Sequence, residues 1–396
     1  MKKTIGTAFA AALAGAVALL GLGAANAAEP VKIGFSESKT GLFAQAATSQ
    51  YQAYNLWREH VNAAGGLDVA GTKRKVEFVS YDDQSNPGKA VQIYEKLITD
   101  DKVDLLLAPW GTSLHLAIVG VLERYKFPMV GNTAASVQLR KLKAGNIWFP
   151  TSLFPDRQSD VLAALLKDRG VGSAALVTNQ LPYTQENKSF VVPALKKAGI
   201  KLVVNEDYPP NVKDLTAVLT KVKNAKPDAV LAYTYPADAV LYMNGAREVG
   251  LDQKVQVVLL GPQYDFFRKI FGAARNGILT MGHWTPARKD WPSAKTFADA
   301  FKARWKTDPD FVDAPLAYVS VEILQQAVAK AGLDKDKLRK TIAGTTFATI
   351  NGPARFDGVM NVALPTMISQ IQGGTQHIVW PPKERTAEAI AKPAWK

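Results

Sequence analysis

Short apolar runs of strand length alternate with stretches of helical periodicity along most of this chain. That alternation restricts it to mostly parallel sheets covered by helices on both faces. Val31 to Phe35 is the first such run, and the polar turn Ser36 to Gly41 follows it. Apolar positions then recur at Ala47, Tyr51, Tyr54, Trp57 and Val61, a helical spacing that Gly65-Gly66 stops. Val76 to Tyr81 reads as a strand ending at Asp82-Asp83. Asn86-Pro87 reads as a helix start, Asn as cap and Pro in the first turn, with Ala90, Val91, Tyr94, Leu97 and Ile98 continuing it. Val103 to Ala108 is a buried strand, Leu114 to Tyr125 a helix, and Pro128 to Val130 another short strand.

The pattern then restarts. Strands are expected at Ser173 to Thr178, Ile200 to Asn205, Ala229 to Tyr233 and Val255 to Leu260. Helices are expected at Val191 to Ala198, Leu215 to Ala225 and Ala237 to Val249. Two α/β units in series predict two lobes, each a mostly parallel sheet flanked by helices, joined by crossover strands around a cleft. Pro150 to Pro155 and His283 to Pro292 read as crossovers. The helices Lys295 to Trp305 and Ala317 to Ala331 are expected to return to the first lobe, and the tail from Thr346 reads as short strands and irregular chain. The expected division is 28–150 with 283–345 for the first lobe, and 151–282 with 346–396 for the second.

Residues 1–27 read as an export signal outside the fold. Lys2 and Lys3 precede an apolar run from Ala8 to Leu22, and Ala25-Asn26-Ala27 fits a small-x-small cleavage site. The expected location is the periplasm, and no later run of 18 apolar residues suggests a membrane span. The chain has no cysteine, which excludes disulfides, thiolate metal sites and a lipid-linked N-terminus. Its four histidines, His60, His115, His283 and His377, are too far apart for a metal-binding helix motif. The net charge of +13 is scattered over polar stretches such as Lys73 to Lys75 and Lys335 to Lys340, with no nucleic-acid-binding pattern beside them. No nucleophile elbow, phosphate loop or dinucleotide motif is present, so neither an enzyme nor a cofactor is expected.

Ligands of open parallel sheets sit beyond the carboxyl ends of the strands. Six loops qualify: Ser38 to Phe43, Pro109 to Ser113, Gly131 to Ser136, Gln180 to Thr184, Tyr233 to Pro236 and Gly261 to Asp265. They are rich in hydroxyls and aromatics. Thr112, Ser113 and Ser136 open helices, where hydroxyls and free amide N–H groups suit a carboxylate, or serve simply as caps. Trp110, Tyr183, Tyr233 and Tyr235 offer flat walls with polar tips, or core packing.

At these residues the chain resembles a known family. Val61-Asn62-Ala63-Ala64-Gly65-Gly66-Leu67, then Asp82-Asp83, Asn86-Pro87 and Lys89-Ala90-Val91, is similar to the branched-chain amino-acid binding proteins. These are the two-lobed, type I periplasmic receptors of ABC importers. The resemblance implies a ligand held between the lobes, an inner-membrane permease as partner and a monomer. It places Thr112 where a hydroxyl holds the ligand carboxylate. It puts the usual threonine of the next loop at Ala135, with Thr133 or Ser136 as substitutes. It matches Tyr183 and Tyr235 to aromatic binding positions. Phe43 lies in the first ligand-facing loop. Where similar amino-acid binders often carry a glutamate for the ligand ammonium, this chain has Gln263, with Asp265 as a replacement acid. A small carboxylate without an ammonium, an aromatic acid, is therefore expected, with a branched-chain or aromatic amino acid as the alternative and a ligand-sensing regulator as a further one. His283 and Trp284 are expected to add a donor and a wall, or to pack the hinge.

Overall fold

The computed structural model describes residues 28–141 and 144–395; the expected export signal lies outside the described residues. The first lobe begins with β1 (Val31–Glu37), α1 (Ala44–Ala63), β2 (Leu67–Val69), β3 (Thr72–Arg74), β4 (Val76–Asp82), α2 (Pro87–Thr99) and β5 (Leu105–Leu106). It continues with α3 (Thr112–Tyr125), β6 (Met129–Val130), α4 (Val137–Lys141) and β7 (Ile147–Trp148). β1 is central in the parallel order β4-β1-β5, with Val31 opposite Val76 and Ile33 opposite Leu105. α2 starts as its sequence requires: Asn86 accepts from Lys89 N at 3.1 Å and Pro87 stands at the first helical position.

The paired aspartates fix the loop after β1. Asp83 is fully buried and accepts from Ser36 Oγ at 2.7 Å, Ser38 Oγ at 2.6 Å and Ser85 N at 2.9 Å. Asp82 accepts from Thr40 Oγ1 at 2.8 Å and Lys39 N at 3.0 Å. Those bonds fold the polar turn back on itself and deliver Phe43 to the inter-lobe face.

The second lobe holds α5 (Pro155–Asp168), β8 (Ser173–Asn179), α6 (Pro182–Lys197), β9 (Lys201–Tyr208), α7 (Thr216–Ala225) and β10 (Ala229–Tyr233). Then come α8 (Pro236–Val249), β11 (Val255–Val258), α9 (Asp265–Phe271) and β12 (Leu279–Met281). Every residue of β10 is buried, as expected of a central parallel strand covered on both faces. The returning helices are α10 (Pro292–Trp305), α11 (Asp313–Ala331) and α12 (Lys335–Gly344). α11 packs on α1, where Trp57 Nε1 donates to Gln325 Oε1 at 2.7 Å.

The tail corrects the expected lobe division. β13 (Phe347–Thr349), β14 (Gly352–Ala354), β15 (Phe356–Asp357) and β16 (Met360–Asn361) form two hairpins. Phe347, Ile350, Ala354 and Phe356 join the apolar cluster under α11 and α12, so this stretch lies with the first lobe. Only β17 (Ile368–Gln372) and β18 (Thr375–Trp380) enter the second sheet, whose order is β18-β17-β12-β11-β10-β8-β9. They extend it antiparallel beyond β12. The chain therefore crosses between lobes at 149–154, 282–291 and 362–367. The third crossing is laced to the first by Asn361 Nδ2 to Pro150 O at 3.0 Å and Thr366 Oγ1 to Ser152 O at 2.7 Å. Two helices also start earlier than their periodicity suggests. α6 begins at Pro182 and α11 at Asp313, and both added first turns reach the cleft.

Candidate functional site

A cavity lies between the lobes at the carboxyl ends of their strands. Trp110, Gly111 and Thr112 line it before and at the start of α3, and Asn132 to Ala135 after β6. Thr151 and Leu153 come from the first crossing; Tyr183, Tyr235, Leu260, Tyr264 and Met281 from the second lobe; Val312, Asp313 and Leu316 from the start of α11. The centre of a water molecule has about 40 Å³ in which to move.

The apolar wall is built across the lobes. Phe43 and Trp110 of the first lobe pack with ring centres 4.9 Å apart. Tyr235 of the second lobe stacks on Phe43 at 6.0 Å and meets Trp110 edge-on at 6.3 Å. Tyr235 is fixed because Asp238, one turn into α8, accepts from its backbone N at 3.2 Å. Tyr183 donates to Gln158 Oε1 at 3.4 Å, and burial pushes its phenol up to about 12.

One end of the cavity is polar and positively polarised. Gly111 precedes α3 with φ of 84°, a conformation that disfavours any residue with a side chain. No side chain caps α3, so the amides of its first turn remain available. Thr133 Oγ1 accepts from Gly111 N at 2.9 Å, and Thr112 Oγ1 accepts from Ala135 N at 3.3 Å, which ties the two first-lobe loops together. Behind them His115 sits fully buried, Nδ1 2.8 Å from Gly111 O and Nε2 3.5 Å from Asn132 N. Burial pushes this imidazole down to about 4, so at neutral pH it donates from Nδ1 and carries no charge. The lining contains no Lys, Arg or His.

The other pole is Asp313, 3% exposed. Its Oδ2 accepts from Trp110 Nε1 at 2.6 Å and from Tyr264 OH at 2.9 Å, donors from different lobes. Asp310 caps the same helix through Val312 N at 2.7 Å and Asp313 N at 2.6 Å. Burial, and then the neighbouring Asp310 carboxylate, hold Asp313 well above the usual carboxylate range.

Of the residues singled out in the sequence, Trp110, Thr112, Thr133, Tyr183 and Tyr235 meet at this cavity. Phe43 backs the wall without lining it. The others are corrected. Ser113 is half-buried on the flank of α3, off the cavity. Ser136 caps α4, accepting from Gln138 N at 3.1 Å. Gln263 turns into the sheet, its amide donating to Leu259 O at 3.0 Å and Met281 O at 3.3 Å and accepting from Gly261 N and Thr280 Oγ1. Asp265 is held outside by Arg268 and Lys269. His283 is buried in the second crossing, off the cavity, and burial pushes it down to about 4.

Comparison with known proteins agrees with this architecture. A family model described as "Periplasmic binding protein" matches residues 30–375. The chain belongs to the periplasmic binding protein family. It is thus a type I, two-lobed solute-binding protein of an ABC transporter and not an enzyme. It is 27% identical over 363 residues to the "Leucine-, isoleucine-, valine-, threonine-, and alanine-binding protein" of Pseudomonas aeruginosa, covering 90% of this chain and 93% of that one. Its fold matches a branched-chain amino acid transporter substrate binding protein from Streptococcus pneumoniae in complex with isoleucine. The TM-score is 0.79 at 23% identity, over 89% of this chain and 100% of that one. It also matches an ABC-transporter solute binding protein from R. palustris in complex with benzoate. There the TM-score is 0.77 at 22% identity, over 92% and 97% of the two chains.

For a binding protein of this family the notable omissions from the sequence reading are Tyr264 and Asp313. Tyr264 lies in the Gly261–Asp265 loop between Gln263 and Asp265, and nothing in that loop's sequence sets its direction apart from theirs. Asp313 follows no strand, so a survey of strand ends passes it by. The signal available was Asp310 and Asp313 standing just ahead of an apolar helical run, the pattern of a helix start.

Proposed function

We propose that this chain is an exported receptor that captures a small carboxylate with an apolar or ring-shaped body, by closing its two lobes, and delivers it to an inner-membrane permease. The observation that carries this reading is the uncapped start of α3 at one end of a cavity whose body is walled mainly by aromatic and aliphatic side chains. The ligand carboxylate accepts from the first-turn amides and from Thr112 and Thr133. Its body lies against Trp110, Tyr183 and Tyr235. The ligand favours the closed state because only there do both walls touch it, and the permease reads that state. The apolar Ala8–Leu22 run and the Ala25–Ala27 cleavage site support export to the periplasm.

Relatives bind ligands of two classes. The Pseudomonas relative is named for aliphatic amino acids, and the two similar folds hold isoleucine and benzoate. The four aromatic residues lining the cavity, Trp110, Tyr183, Tyr235 and Tyr264, favour a ligand with a ring. The test is thermal unfolding of the mature protein with benzoate-type, phenylpropanoid and aliphatic acids and with branched and aromatic amino acids. A ligand at about 100 times its Kd stabilises by about 2.7 kcal/mol. Stabilisation by at least one of these carboxylates is expected; no shift with any of them refutes the reading.

A further inference from the structure

The second lobe holds a recess that shares no lining residue with the inter-lobe cavity. It lies between α9 with the turn after it, the hairpin turn Gly373-Gly374 and the tail residues Lys392 to Trp395. The centre of a water molecule has about 630 Å³ in which to move there, against about 40 Å³ between the lobes. The tail that closes the recess is fastened to the lobe. Ile390 N donates to Gln370 Oε1, Lys392 N to Lys254 O and Trp395 Nε1 to Leu251 O, each at 2.8 Å. It passes so close to Gly277, where φ is 77°, that a Cβ there would come within 2.6 Å of Lys392 Cα.

Two cations line this recess without a carboxylate partner. Arg275 is 1% exposed and Lys392 4%. Arg275 Nη1 donates to Pro262 O at 2.7 Å and Nε to Gly272 O at 3.3 Å, and Nη2 has no acceptor among the described residues. Lys392 Nζ donates to Pro393 O at 2.8 Å and stands over the Trp395 ring. Carbonyls and a ring face ease the burial of a cation but do not cancel its charge. Burial accordingly pushes Arg275 down to about 10 and Lys392 down to about 8. The third cation of the lining, Arg268, is already matched by Asp265 and Asp308, and among the described residues no acid lines the recess. Ile371, Pro393, Ala394 and Trp395 supply an apolar wall beside the charges. We propose that this recess is a second binding site, for an organic phosphate monoester whose dianionic head pairs with Arg275 and Lys392 and whose apolar body lies against Ile371 and Trp395. A dianion balances both cations, and the guanidinium fork of Arg275 suits phosphate oxygens. The site stands independently of the ligand held between the lobes.

The test is calorimetric titration of the mature protein, at fixed ionic strength, with phenyl phosphate, phenyl sulfate and inorganic phosphate. The wild type should bind phenyl phosphate about tenfold or more tightly than the singly charged sulfate ester, and more tightly than inorganic phosphate, which leaves the apolar wall bare. K392M keeps an unbranched chain beside Trp395 and should raise the Kd for phenyl phosphate about tenfold or more, as should R275Q. No binding by the wild type overturns the proposal. Equal affinity for the two esters overturns the dianion, and equal affinity for inorganic phosphate overturns the organic body. An affinity unchanged in both variants puts the anion elsewhere and overturns the site. Should the variants fail to fold, a wild-type crystal grown with 4-bromophenyl phosphate decides the matter. A bromine anomalous peak in the recess upholds the site, and peaks only elsewhere overturn it.

Discussion

Replacing Tyr235 by alanine separates lobe closure from core packing. The ring is buried, yet its aromatic neighbours, Phe43 at 6.0 Å and Trp110 at 6.3 Å, both belong to the other lobe. Each aromatic pair contributes about 0.5–1.5 kcal/mol beyond area burial. Two pairs give about 1–3 kcal/mol, all of it realised only when the lobes meet. Since about 1.4 kcal/mol is a factor of ten, Y235A should weaken ligand binding by about 5- to 150-fold. The melting temperature of the ligand-free protein should change little, because these ring contacts bridge the lobes and add nothing to the packing within either one. Y235F retains the stacking and should bind within a few-fold of wild type. The assay is calorimetric affinity paired with a melt of each ligand-free variant. A drop of many degrees in the ligand-free melt with unchanged affinity would refute the reasoning and make Tyr235 an ordinary core residue of the second lobe.

Thr112→Val removes the acceptor of Ala135 N at one side of the polar pole. It should cost about 1–3 kcal/mol of ligand affinity, seen as a 5- to 150-fold rise in Kd, with the fold intact by circular dichroism. Gln263→Glu replaces an amide that donates to two buried carbonyls. It should destabilise the protein by about 3 kcal/mol or more in a denaturant melt without creating amine selectivity, and a stable variant with altered ligand preference would contradict the observed orientation. Glu322 on α11 accepts from Ile350 N at 2.8 Å, and burial pushes it up to about 8. Between about pH 4.5 and pH 8 the folded state keeps a proton that the unfolded chain has lost, so stability falls as pH rises, by about 1.4 kcal/mol per unit at most. E322Q should remove that fall, and parallel wild-type and E322Q stability curves from pH 5 to 8 would disprove it.

The parts of the fold legible in the sequence are those governed by periodicity. β1, β4, β8 and β10 and the helices α1, α2 and α8 follow from apolar runs and 3.6-residue spacing, and the cap at Asn86 follows from residue chemistry alone. Five residues of the cavity lining were legible because they stand at strand ends: Trp110, Thr112, Thr133, Tyr183 and Tyr235. Direction within a loop was not legible. Gln263, Tyr264 and Asp265 are consecutive, yet one enters the sheet, one faces the cavity and one pairs with Arg268 and Lys269 at the surface. Nothing in their identities fixes that order; the turn after β11 does. The lobe boundary at 346 failed for a related reason, since the short strands β13 to β16 carry too little pattern to show which core receives Phe347 and Phe356.

The misreading of Gln263 bears on how the receptor works. A counter-charge inside the second lobe alone reads the ligand from one side. Here the two polar ends of the cavity, the amides of α3 and the buried carboxyl of Asp313, both belong to elements packed on the first lobe, and the second lobe supplies Tyr183, Tyr235 and Tyr264. On the proposed reading, the ligand carboxylate docks first on the first lobe. Closure adds rings and one hydroxyl, Tyr264 OH on Asp313, rather than a new ion pair. Such contacts are short-ranged and strong only when solvent is excluded, so they reward closure and little else. The division assigns charge complementarity to capture and aromatic fit to closure. It predicts that substitutions at Tyr235 shift the open–closed balance towards open and speed release, whereas substitutions at Thr112 weaken capture itself.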